Sequence, residues 1–87
     1  MSSKGIPVIS IMSLDFNNIA RMSDREAFEH LVVTCRLSRK RIVPARVRYN
    51  AYRVSRRPES VFIHLLLGEK ETCRVGFVPV PPFNIVR

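Results

Sequence analysis

Apolar and polar residues alternate at period two over residues 6–16, IPVISIMSLDF. Val8, Ser10, Met12, Leu14 and Phe16 share one side, and Ile9, Ile11, Ser13 and Asp15 share the other. This alternation predicts a strand. NNIARMS, residues 17–23, reads as a loop. The period then changes. Phe28, Leu31, Val32 and Cys35 recur at i, i+3, i+4 and i+7, the apolar stripe of a helix lying on a core. Ser23-Asp24-Arg25-Glu26 supplies its start as a capping box, with the serine hydroxyl on the Glu26 amide and the glutamate reaching back. Asp24 and Glu26 stand at the positive end of the helix dipole, and Arg36 to Arg41 stand at the negative end. The β-branched run LVVTC, residues 31–35, competes for strand. The cap, the dipole pattern and the stripe together favour helix.

Period two returns in IVPARVRYNAYRV, residues 42–54, and predicts a second strand. Val43, Ala45, Val47, Tyr49 and Ala51 form its core side, and Arg46, Arg48, Asn50 and Tyr52 its solvent side. Pro44, with no amide hydrogen, limits pairing near its start. SRRPES turns the chain. VFIHLLL, residues 61–67, is apolar almost throughout, which suits a central strand covered on both faces. Gly68 to Glu71 suits a short hairpin connection, and TCRVGFVPV, residues 72–80, returns as the last strand. The order β-α-β-β-β predicts a small α+β domain, a mostly antiparallel sheet with one helix packed on one face. The last three strands should form a meander. The first could join in parallel or pair elsewhere. One helix cannot cover two apolar sheet faces, so surplus apolar surface and a homodimer are expected. Residues 1–5 read as a flexible N-terminus. Residues 81–87 read as an extended Pro-rich tail, in which Pro79 and Pro82 loosely match proline-rich ligands and the apolar residues suit packing.

The chain has 87 residues, enough for one domain with a small core. Apolar residues make 46% of it and charged ones 25%, which excludes disorder throughout. No apolar run is long enough to span a membrane. The N-terminus lacks the form of a signal peptide, so a cytoplasmic or nuclear location is expected. In such a compartment Cys35 and Cys73 stay thiols.

Charge changes the picture most. The net charge is +8, and it is local. Arg36, Arg39, Lys40, Arg41, Arg46, Arg48, Arg53, Arg56 and Arg57 fall in one 22-residue window with no acidic residue, while the rest of the chain carries six basic and seven acidic groups. Eight of these nine are arginine, whose planar fork pairs phosphate or carboxylate at two points. The alternation at 42–54 sets Arg46, Arg48, Asn50 and Tyr52 in one row, with a ring on which a base could stack. Arg53 lies on the inner parity. The function expected is non-enzymatic nucleic-acid binding, RNA before DNA, by phosphate contact. The alternative is a protein-interaction module, an inhibitor or assembly factor of viral or phage style, that meets an acidic protein through the same surface. Sheet faces with aromatic and basic residues bind single-stranded RNA. Here Tyr52 alone is well placed for that, and no Arg/Lys-Gly-Phe/Tyr-type motif exists.

Other chemistry finds little support. His30, Cys35, His64 and Cys73 are a zinc set by type but not by spacing. His64 reads as a buried histidine bonded to a neighbour. Three glycines, at 5, 68 and 76, form no phosphate loop, and no nucleophile has an adjacent base in sequence. No cofactor and no catalytic residue is expected.

Overall fold

The computed structural model describes residues 5–38 and 41–80. These form β1 (Val8–Ser13), α1 (Phe16–Arg21), α2 (Asp24–Leu37), β2 (Ala51–Arg57), β3 (Ser60–Leu67) and β4 (Lys70–Pro79). The fold is α+β, with a four-stranded mixed sheet in the order β1-β4-β3-β2. β2, β3 and β4 are the expected antiparallel meander, and β1 joins β4 in parallel with Ser10 opposite Gly76. Arg39, Lys40, the tail and most of the flexible N-terminus lie outside the described residues.

Alternation along the strands sorts the two sheet faces. Val61, Ile63 and Leu65 of β3 and Cys73, Val75 and Phe77 of β4 are buried, with Phe16, Ile19, Ala27 and Leu31 of the helices over them. Ile9, Ile11, Tyr52 and Val54 pack at the margins of this core. Both helices therefore lie on one face, and the expected single helix is two. The α1 segment was expected to be a loop. It is helical because Phe16 and Ile19, at i and i+3, both reach the core, and the Asp15 carbonyl accepts the amides of Asn18 and Ile19. Phe16 thus leaves the strand alternation, and Val8 and Met12 remain exposed at 57% and 64%.

The second helix starts where the sequence marks it. Ser23 is its N-cap, and both hydrogen bonds of the capping box are present, at 3.2 and 3.0 Å. The β3–β4 turn is a hairpin with Gly68 at φ 66°, a value that favours glycine. Helices cover β3 on one face only among the described residues, while on its other face His64 is buried and Phe62 and Leu66 are half-buried. That second face, bearing Phe62, His64 and Leu66, has no helix of the described residues over it.

Candidate nucleic-acid interface

The strand expected at 42–54 begins only at Ala51. Residues 41–50 instead run as bends and a turn ahead of β2. The Pro44 carbonyl accepts the Val47 amide at 3.0 Å and closes a turn. Thr72 Oγ1 donates to the Arg48 carbonyl at 2.8 Å, and the Asn50 amide donates to the Leu66 carbonyl at 2.8 Å. Val43 and Val47 face inward as apolar anchors. Arg41, Arg46 and Arg48 are exposed along this segment, and Arg36 is exposed in the last turn of α2. Arg36 and Arg41 border a cavity of about 260 Å³ whose apolar lining includes Leu31, Val32, Val43 and Leu65.

Within β2 the parity is opposite to the one expected. Tyr52 and Val54 turn toward the helices, and Ala51 and Arg53 turn away. The Tyr52 ring stacks on Phe28 of α2, with centroids 4.3 Å apart and planes 3° from parallel. It is a packing residue, not the solvent-side base platform expected of it. Pairing decides this. Tyr52 opposes Leu65 and Val54 opposes Ile63, so the core keeps the larger apolar side chains and Ala51 goes out. Arg56 shares the Tyr52 parity. Its Nη1 meets Asp24 Oδ1 at 2.8 Å and its Nη2 donates to the Met22 carbonyl at 2.7 Å, which ties β2 to the start of α2.

The single row of Arg46, Arg48, Asn50 and Tyr52 therefore does not form. The arginines fall into two groups. Arg36, Arg41, Arg46 and Arg48 lie in or beside the 41–50 segment, and Arg53 and Arg57 project from β2 on the helix-free face. Of the seven described arginines of the basic window, Arg56 alone has a carboxylate partner among the described residues.

The helix-free face carries a side-chain network. Arg53 on β2, His64 on β3 and Arg74 on β4 are direct cross-strand neighbours. Glu71 reaches beneath them. Its Oε2 accepts from His64 Nδ1 at 2.7 Å and Arg74 Nε at 2.9 Å, and its Oε1 accepts from Arg74 Nη2 at 3.1 Å. Ser55 Oγ lies 2.8 Å from His64 Nε2. The Arg74 hydrogen bonds, then those of His64, hold the Glu71 carboxyl down to about 2, against the partial burial that opposes them. Since an ionised carboxylate only accepts, the His64 Nδ1 that faces Glu71 carries a proton, and Nε2 shares a hydrogen bond with the Ser55 hydroxyl. This is the order of groups in a nucleophile–base–carboxylate relay. The cavity above and a second one, beside Phe28 and Tyr52, border other residues. These bonds give each ring nitrogen of the buried His64 a partner.

The next row along the strands is Ser55, Phe62, Gly76 and Ser10. The Phe62 ring covers Gly76, where an added Cβ would lie 2.5 Å from Cε1. Phe62, Glu71 and Arg74 carry no signal as a site in sequence. Phe62 alternates with buried Val61 and Ile63, and only the uncovered second face gives it meaning. Among the described residues, no three His, Cys, Asp or Glu side chains gather as metal ligands, and no helix is long and apolar enough to cross a membrane. Cys35 and Cys73 are free thiols raised in pKa by burial. Comparison with protein families, with curated proteins and with solved structures finds no match.

Proposed function

We propose that the protein is a non-enzymatic nucleic-acid-binding accessory protein that holds phosphate backbone with its unpaired arginines. The observation that carries this reading is electrostatic. Six of the seven described arginines in a window without acids are free of carboxylates within the described molecule. A guanidinium left in water gains most from a partner that accepts two hydrogen bonds at once, as phosphate does. Surface charge kept only for solubility would be scattered along the chain.

A second reading draws on the cavity bordered by Arg36 and Arg41. Apolar walls with two cations beside them suit an acidic peptide with an apolar anchor, the protein-partner alternative.

Fluorescence anisotropy of labelled RNA and DNA oligomers tests the first reading. Affinity should fall linearly with log salt, by about 0.7 to 0.9 in slope per phosphate neutralised. Arg46→Glu with Arg48→Glu, and separately Arg53→Glu with Arg57→Glu, should each weaken binding and flatten the slope. Absence of micromolar binding in about 50 mM salt overturns the reading. A protein complex that survives nuclease and is lost in Arg36→Glu with Arg41→Glu selects the second.

A further inference from the structure

We propose that the helix-free sheet face seats single-stranded nucleic acid, with a base stacked on Phe62 and phosphates held by Arg53, Arg57 and Arg74. This deepens the phosphate-contact reading and rests on it.

Three features converge. The first is the ring's setting. In the row Ser55, Phe62, Gly76, Ser10, the phenyl ring is the one large side chain. Gly76 has no side chain to lift the ring off the sheet, and serines flank the pair, so nothing in that row overhangs it. Phe62 remains half-buried, beside His64 at 6.3 Å between ring centroids. An aromatic ring on a sheet face free of helices among the described residues is a surface on which an unpaired base can stack, whatever its sequence.

The second is the placement of charge around that ring. Arg53 and Arg57 sit two residues to either side of Ser55, on the same face of β2, about 13 Å apart along the strand. Arg74 lies on β4, two strands from Arg53, at a backbone separation of about 10 Å. The cations thus border the platform on more than one side. Glu71 engages Arg74 through Nε and Nη2 and leaves Nη1 without a hydrogen bond among the described residues. Arg53 and Arg57 have no carboxylate partner there.

The third is the rigidity of the frame. The chain of bonds from Ser55 through His64 and Glu71 to Arg74 crosses three strands. It orients His64, Glu71 and Arg74 beside the ring, which reduces the ordering that binding costs there. A duplex hides its base faces in its own stack, so this surface selects unpaired strands.

The test compares two labelled oligomers of about ten nucleotides, oligouridylate and an abasic ribose-phosphate chain with the same number of phosphates. Both are titrated with the full chain by anisotropy at one salt concentration. The base-bearing oligomer should bind at least about tenfold tighter. Phe62→Ala should bring the ratio near one by weakening binding of the base-bearing oligomer. Phe62→Leu keeps apolar volume without a π face and should behave the same, which covers the case in which alanine impairs folding. Phe62→Trp should restore the preference. In a chain with no other tryptophan, its fluorescence should be quenched by the base-bearing oligomer alone. Equal affinity of the wild-type protein for the two oligomers overturns the proposal and leaves the phosphate reading standing. So does a preference that survives both Phe62→Ala and Phe62→Leu, or a duplex bound more tightly than its single strand. Failure of both oligomers to bind at low salt removes the two readings together.

Discussion

Glu71→Gln probes the frame of the helix-free face with the least change in shape. The wild-type carboxylate accepts three hydrogen bonds, from His64 Nδ1 and from two nitrogens of Arg74. Its pKa falls from 4.5 to about 2. At about 1.4 kcal/mol per pH unit, the ionised form is favoured by at most about 3.5 kcal/mol in the folded state. Water reaches the cluster, since the Glu71 and Arg74 side chains are 20% and 39% exposed, so about 1–2 kcal/mol is a sounder figure. The folded-state value is depressed, so this stability is complete above pH 4.5 and is lost as pH falls through about 2. Urea unfolding, followed by circular dichroism, should find Glu71→Gln less stable by about 1–2 kcal/mol at neutral pH. The gap should close as pH falls from 4.5 toward 2. Among the described residues, the other charged and titratable groups on this side are His64, Arg74, Arg53 and Arg57, and all are present in both proteins. Carbon-detected NMR titration of the wild-type Glu71 carboxyl gives the midpoint directly. A gap independent of pH, or a carboxyl that titrates at its ordinary value, would refute the reasoning, because Glu71 would then be solvated and the network would order nothing.

Two further substitutions check the local arguments. Gly76→Ala sets a methyl 2.5 Å from Phe62 Cε1, so the ring must move. The expected loss is about 1–2 kcal/mol in urea unfolding, and it should vanish in a Phe62→Ala background, where nothing stands in the way. Ser23→Ala removes the acceptor for the Glu26 amide and should cost about 1 kcal/mol, seen as a melting temperature lower by several degrees.

The helix and the hairpin were legible because their signals are local. Ser23 to Glu26 closes on itself within one turn, and Gly68 marks its own backbone angle. The site was less legible because its parity depends on a distant strand. Residues 42–54 alternate well, but the alternation does not say whether the chain is paired. Contacts from Leu66 and Thr72 hold 48–50 as part of the segment ahead of β2, and β2 starts fresh at Ala51 with its own register. A shift of one residue sends every side chain to the other face. That shift moved Tyr52 inward and Arg53 outward. α1 was hidden for a different reason. Its buried pair, Phe16 and Ile19, spans less than one heptad, and Phe16 also fits the end of the strand pattern before it.

The arginines of β2 have a plainer role that bears on the proposal. β2 is the edge of the sheet, and charge on an edge strand discourages pairing with another chain. Arg53 and Arg57 would serve that end on their own. Charge alone, however, does not call for arginine, since lysine protects an edge at least as well. It also leaves unexplained the arginines of the 41–50 segment, which has no free strand edge to guard. Arg56 shows what the fold does when it needs a guanidinium internally, turning it to Asp24 and a carbonyl on α2. Its neighbours Arg53 and Arg57 have no such partner among the described residues. One strand thus carries a structural arginine and two without a carboxylate partner among the described residues. Those two stand beside Phe62 on the face that no helix covers.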